Sequence, residues 1–113
     1  MEGCNDLISK KELTKIELRV GKITGIHDIG KQFLLRISVG LIDDEFELVA
    51  DLKKGYTIQE LIGQECLIIT NVKPTTTNGY PDEAKILIAI HEGKPVLIQP
   101  QKHCVPGVKV KTN

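Results

Sequence analysis

The sequence predicts an all-β domain with one short helix, its strands closed into a small barrel, and three observations carry that prediction. Apolar residues alternate with polar ones in separate runs around Leu18, Leu35 and Leu48, the period of half-buried strands. Gly21 interrupts the first run and shifts its apolar phase, which marks a β-bulge where one strand can bend across two sides of a barrel. A single helical piece falls between the third and fourth runs.

Taken in order, Asp6 to Leu13 sets Leu7, Ile8 and Leu13 among Lys10, Lys11 and Glu12. This stretch is open to a short leading helix or an unstructured lead, so residues 1–13 stand apart from a domain at 14–113. Ile16, Leu18 and Val20 alternate with Glu17 and Arg19 before the slip at Gly21 to Ile23. His27-Asp28-Ile29-Gly30-Lys31 has the glycine and aspartate of a turn. Phe33, Leu35, Ile37, Val39 and Leu41 then share one face, with Leu34, Arg36 and Ser38 on the other. Asp43-Asp44 turns the chain, and Phe46, Leu48 and Ala50 continue the pattern as the return arm of a hairpin. Thr57 has Glu60 three residues on, the capping-box spacing, and Gly63 sits where a glycine stops a helix. A helix this short is not stable alone, so it must plug the barrel. A fourth strand over residues 66–71 ends at Pro74, which has no N–H to continue a ladder. A loop from Lys73 to Glu83 leads to a fifth strand at 86–90. Three strands, a helix and two strands, with a glycine bend in the first, is the order of an OB-fold, a five-stranded Greek-key barrel. An SH3-like barrel, the competing reading, usually lacks the helix. The barrel does not need Val96-Leu97-Ile98 or the alternating Val105, Val108 and Val110. These read as extra C-terminal strands that cover a barrel edge or meet a second subunit.

Composition agrees with one such domain. A chain of 113 residues buries a single core. With 41% apolar but only 4% aromatic residues and no Trp, that core must be aliphatic, which favours strands. Formal net charge is zero, so no basic excess announces nucleic acid, yet the charges are unevenly spread. Residues 1–36 hold seven basic and five acidic groups, 37–72 two and seven, and 73–113 six and three. Cys4, Cys66 and Cys104 are odd in number and contain no CxxC pair, which indicates neither a disulfide framework nor a zinc site and fits a reduced cytoplasm. Met1 to Leu18 mixes charges of both signs without an apolar run, the opposite of a signal peptide or membrane span.

Leu18-Arg19-Val20-Gly21-Lys22-Ile23, Tyr56, Glu60-Leu61-Ile62-Gly63 and Thr70-Asn71-Val72-Lys73-Pro74, in this order, resemble the tRNA-binding domain. That domain occurs at the C-terminus of many methionyl-tRNA synthetases, in free-standing tRNA-binding proteins, in the CsaA chaperones and in endothelial monocyte-activating polypeptide II. The likeness covers residues 14–110 and implies the same OB-fold. The sequence also departs from the family. Where the family typically has Ser-x-Gly-Met opening strand five, this chain has Asp82-Glu83-Ala84-Lys85. The family's His-Pro pair is His27-Asp28 here, and a Gly usual after the third strand is Asp51.

An OB-fold offers the faces of strands two and three, with its first and fourth inter-strand loops, to structured RNA. Lys22, Lys31 and Arg36 lie on or beside the first of these loops, and Asn71, Lys73 and Lys85 flank the second. Lysines would supply charge for phosphate, and Asn can meet a base or ribose edge. The competing reading is that these are ordinary solvated charges and that Asn71 caps its own turn. Phe33 and Phe46 follow the core phase, which leaves Tyr56 and Tyr80 as exposed stacking candidates. His103 beside Cys104 is the nearest thing to a thiol site, but adjacent residues of an extended tail point opposite ways and no orienting third group follows. Cys66 reads as a small core residue, and His27 and His91 are isolated. The chain contains no phosphate loop, HExxH or nucleophile elbow. The sequence and the resemblance together lead to a non-catalytic, cytoplasmic tRNA-binding module without cofactor, metal or membrane, either free-standing or associated with an aminoacyl-tRNA synthetase. A homodimer joined through residues 94–110 and the 7–14 lead is expected. The alternative is a chaperone-like or protein-interaction dimer that keeps the fold with weakened RNA binding.

Overall fold

The computed structural model describes residues 6–40 and 44–113; Cys4, Leu41 and Asp43 lie outside these. Among the described residues there are two four-residue helices, α1 at Lys10–Leu13 and α2 at Ile58–Leu61. The strands are β1 Leu18–Asp28, β2 Phe33–Ser38, β3 Glu45–Ala50, β4 Glu65–Ile69, β5 Thr75–Thr77, β6 Tyr80–Asp82, β7 Lys85–Ile86, β8 Ile88–His91, β9 Lys94–Leu97 and β10 Lys109–Val110. The main sheet runs β3-β2-β1-β4-β7 with β10 joined to β1, and β5-β6 and β8-β9 are separate hairpins. It is a nearly closed barrel of the OB type.

β1 serves two sides of that barrel. Leu18 to Lys22 pair with β4, and Lys22 to Asp28 pair with β2, so the coil expected from the glycine signal is present. The irregularity itself falls at Thr24, between Ile23 and Gly25, three residues beyond Gly21. Gly21 has another reason. A Cβ there would collide with Ile37 Cγ2 and lie 3.6 Å from Cys66 Sγ, because the strand backbone itself forms the barrel wall at this point. Gly21 and Ile23 therefore point inward, and alternation turns Leu18 and Val20 outward. That corrects the expected phase. Val20 is buried nonetheless, because the C-terminal segment lies beside it: Val20 N–H donates to Val108 O at 2.9 Å and Gly107 N–H to Val20 O at 2.7 Å.

The β2-β3 hairpin pairs Phe33 with Ala50, Leu35 with Leu48 and Ile37 with Phe46, all on the core side. Leu34 and Val49, opposite one another on the outer side, are buried as well. α2 has the predicted capping box, with Thr57 N–H donating to Glu60 Oε1 at 2.8 Å. Gly63 at φ +82° ends it and donates to Ile23 O at 2.8 Å. Its Leu61 is fully buried in the core, as a plug. The lead resolves as helix α1, capped by Ser9 and Glu12 in a second box. The fifth strand does not run unbroken over 86–90. β7 pairs with β4, Leu87 N–H donates to Leu67 O at 3.0 Å, and β8 then leaves the barrel to pair with β9. Leu97 of β9 belongs to the core, and β10 adds to β1, so the C-terminal region folds onto its own barrel. Cys66 is a core residue whose thiol burial pushes up to about 12.

The barrel closes between β3 and the 82–84 segment. Glu83 N–H donates to Glu47 O at 2.8 Å, and Glu47 N–H returns a bond to Glu83 Oε1 at 2.8 Å. Asp82, only 3% exposed, accepts from Val49 N–H at 3.3 Å, Thr77 Oγ1 at 2.7 Å and Lys85 Nζ at 3.0 Å. Burial alone would raise the Asp82 pKa, but those donors outweigh it and hold the carboxyl below its ordinary value.

Gly21→Ala must push Ile37 aside, an overpacking that costs about 1–3 kcal/mol, measured as a lower urea midpoint at unchanged slope. Asp82→Ala strips the buried Val49 N–H and the partly buried Thr77 hydroxyl of their acceptor and costs about 1–3 kcal/mol at neutral pH. Because the folded pKa is depressed, the ionised Asp82 stabilises fully above the ordinary carboxylate pKa of about 3.9 and loses that contribution as pH falls through its lower folded value. Wild-type stability should thus fall more steeply below about pH 4 than that of Asp82→Asn, with equal slopes counting against the assignment.

Candidate nucleic-acid interface

All six residues expected to meet RNA are exposed, but the barrel does not gather them into one patch. Lys22 and Arg36 share the outer face of β1 and β2, opposite Ser38 and Gly25 respectively. Register surrounds them with acid: Glu65 stands opposite Lys22, Glu47 opposite Arg36, and Glu45 opposite Ser38. Arg36 Nε lies 3.9 Å from Glu45 Oε1, and Thr24 Oγ1 donates to Glu45 Oε2 at 3.2 Å. The face of strands two and three is therefore electrically compensated, where an RNA-binding sheet would be positive.

Asn71 and Lys73 follow β4 at the end where β1 begins. The Asn71 side chain is occupied: Oδ1 accepts from Glu17 N–H at 2.8 Å and Nδ2 donates to Lys15 O. It fastens the chain entering β1 to the end of β4, and does not cap its own turn. Beside it Thr70 Oγ1 donates to Glu17 Oε1 at 2.9 Å, which together with Arg19 keeps the Glu17 carboxyl below the usual range. Lys73 has no ion pair among the described residues. Lys85 is 59% exposed on its side chain yet bonded to Asp82, so part of its charge is already balanced.

Lys31 stands at the other end of β1, in the turn into β2. There Ile29 N–H donates to Gln32 O at 3.0 Å, and Asp28 accepts from Gly30 N–H at 2.9 Å. Asp28 also holds Lys53 Nζ at 2.8 Å, and Lys53 reaches Gly30 O as well. The Lys53 bond first, and the Gly30 N–H second, hold the Asp28 carboxyl below its ordinary range. Lys53 comes from a second turn, closed by Gly55 N–H on Leu52 O at 3.1 Å; Leu52 is fully buried, so Lys53 and Lys54 form the tip. The sequence reading passed over this pair, although two lysines between a core leucine and a glycine are a basic turn. The tip of the β5-β6 hairpin reaches the same end, where Asn78 Nδ2 donates to Gln32 Oε1 at 3.1 Å.

The other candidates fall into structural places. Tyr56 is half-buried, its hydroxyl accepting from Leu97 N–H at 3.0 Å, so of the two tyrosines only Tyr80 is an exposed ring. His103 pairs through Nδ1 with Glu65 Oε2, while Cys104 N–H donates to Glu65 Oε1 at 3.3 Å; the imidazole meets a carboxylate and not the thiol. Among the described residues no His, Cys, Asp and Glu group suits a metal ion, and no helix is long and apolar enough to cross a membrane.

No family model matches the chain. The sequence is 36% identical over 101 residues to the methionine–tRNA ligase of Methanocaldococcus jannaschii, covering 88% of this chain and 16% of the ligase. It spans 14 to 16% of the length of the methionine–tRNA ligases it matches. The crystal structure of the CsaA chaperone protein from Picrophilus torridus superposes with a TM-score of 0.84 at 27% identity, over 92% of this chain and 99% of that one. The chaperone CsaA from Bacillus anthracis shares the fold with a TM-score of 0.85 at 24% identity, over 93% and 99%. With the barrel topology and the ordered motifs from Leu18 to Pro74, these matches to methionine–tRNA ligases and CsaA proteins are consistent with the tRNA-binding-domain family of OB-folds.

Proposed function

We propose that the chain is a non-catalytic, cytoplasmic tRNA-binding module that acts free-standing or beside an aminoacyl-tRNA synthetase. The observation that carries this reading is the contrast between Arg36 and Lys85, each within reach of a carboxylate, and the loop residues Lys31 and Lys73, which have no ion pair among the described residues. Loop lysines at barrel ends suit phosphate contacts, which position a folded RNA without reading its sequence. Lys22, Arg36 and Lys85 contribute by exchanging an acidic neighbour for phosphate, and Asn71 positions the β4 end. The protein-binding alternative needs none of the loop lysines and predicts little RNA affinity at any salt.

We further propose a two-fold dimer through the 94–110 region and the lead. Although β10 docks on its own barrel, Val105 remains 66% exposed and Leu7 82% exposed, more apolar surface than a lone segment needs to show.

Binding of total tRNA should weaken as salt rises, and Lys73→Ala should lower the slope of log affinity against log salt by about 0.7–0.9, equally for different tRNAs. A changed preference among tRNAs at unchanged slope would remove Lys73 from the phosphate role. At micromolar concentration the full chain should sediment at twice its monomer mass and Val105→Asp as a monomer. A wild-type monomer, or a Val105→Asp dimer, would sink the proposed contact.

A further inference from the structure

Resting on the RNA reading above, we infer that unpaired RNA occupies the groove between the β1-β2 turn, the Leu52–Gly55 turn and the β8-β9 hairpin, its phosphates on Lys31 and Lys54. The groove has a volume of about 790 Å³ and is lined by Lys31, Lys53, Lys54, Asp51, Ile90, Gly93 and Pro95. Two of its walls are barrel loops, but the third is the hairpin that the extra C-terminal sequence builds, so the five-stranded barrel alone would not enclose it.

The groove is a fixed construction. Lys53 ties the two basic turns together by bonding both Asp28 and Gly30 O. The second turn lies directly against the hairpin: a Cβ on Gly55 would come within 2.9 Å of Pro95 O. Tyr56, next in sequence, bonds Leu97 N–H from the other side. Lys31 and Lys54 are thereby held on two joined turns with ammonium groups that no carboxylate claims among the described residues. Of the acids at this end, Asp28 is ion-paired with Lys53, while Asp51, on the groove itself, accepts from the neutral Gln32 Nε2 at 2.8 Å. Lys31 and Lys54 outnumber Asp51 on the groove, and two cations on joined turns suit a polyanion with neighbouring charges.

The third wall decides the class of polyanion. Ile90 is 71% exposed and faces this groove beside Gly93, which has no side chain. A duplex keeps its base faces stacked inside and would meet only the lysines, whereas an unpaired strand can set phosphates on Lys31 and Lys54 and rest a base face on Ile90. The groove supplies no aromatic ring, so the contact of a base face with Ile90 is apolar packing and not stacking.

The test uses the intact chain, a labelled ten-nucleotide polyuridylate and an RNA duplex of equal length, each titrated from 50 to 200 mM salt. Lys31→Ala/Lys54→Ala should bind polyuridylate at least tenfold more weakly, with a salt slope lower by about 1.4, ~0.7 for each lost phosphate contact. Lys15→Ala/Lys111→Ala removes equal charge at the other end of β1 and should change affinity less than twofold. Ile90→Ser should weaken polyuridylate several-fold with the slope kept, and leave duplex binding unchanged. If the two lysine pairs lose affinity equally, attraction is diffuse and the groove is not the site. If duplex RNA suffers from Ile90→Ser as much as polyuridylate does, the unpaired-strand assignment falls. A wild-type chain that binds neither RNA nor total tRNA at 50 mM salt would overturn the tRNA reading itself, a result separable from both.

Discussion

Closure of the barrel between β3 and the 82–84 segment is the constraint on which the rest of the structure depends. A five-stranded sheet that curls without closing leaves one edge of β3 with unpaired N–H groups, a liability for any small β protein. Here that edge is closed mostly by carboxylates. Glu83 takes the Glu47 N–H, Asp82 takes that of Val49, and a single backbone bond between Glu83 and Glu47 completes the seam. Asp82 can be buried only because Thr77 and Lys85 supply the remaining donors, so the β5-β6 hairpin and β7 are organised by the same group. The departures from the family's Ser-x-Gly-Met pattern thereby acquire a structural meaning. Aspartate does at the seam what a hydroxyl could do only in part, and Lys85 is its counter-ion.

Much of the fold was legible because it depends on local rules. The alternation from Phe33 to Val39, the capping box at Thr57 and Glu60, and the Gly63 stop are short-range patterns, and each appears where the residues put it. What was illegible is set at long range. Val20, Leu34 and Val49 lie on the outer side of the barrel and yet are buried, Val20 because the distant C-terminal segment lies beside it; period-two analysis knows one buried face per strand and assigned Val20 to the wrong one. The true position of the bulge, at Thr24, was hidden by a glycine that is required three residues earlier for close approach to Ile37. The break at Leu87 left no mark in a run of apolar residues that suits a barrel strand and a departing hairpin equally.

The candidate site shows the same division. Exposure of the six residues followed from their types, but their spacing in space did not. A net charge of zero conceals two unlike surfaces, since the acid-rich middle of the sequence supplies β3 and sets Glu45 and Glu47 beside Arg36. Sequence summation counts Arg36 and Lys31 alike. The register makes one a member of a balanced sheet face and leaves the other at a turn whose acid, Asp28, is taken by Lys53. Asn71 shows how a residue chosen for its polar edge can be spent on the backbone, and only the partners of its two amide atoms reveal it.

The C-terminal segment links these levels. It covers Val20 and adds β10 to β1, and it is fastened at Glu65, whose carboxylate takes both His103 and the Cys104 N–H while its carbonyl takes Gln99 Nε2 at 2.8 Å. Glu65 stands opposite Lys22, so the group that anchors the tail is also one of the acids that compensate the sheet face. The His103 bond, ahead of the Cys104 N–H and the smaller effect of the Lys22 charge, holds that carboxyl below its usual range. Tail docking and neutrality of the sheet therefore share one carboxylate. A chain that fastens its own extension in this way leaves its free positive charge at the loops, on the side where the same extension, through the β8-β9 hairpin, adds a wall.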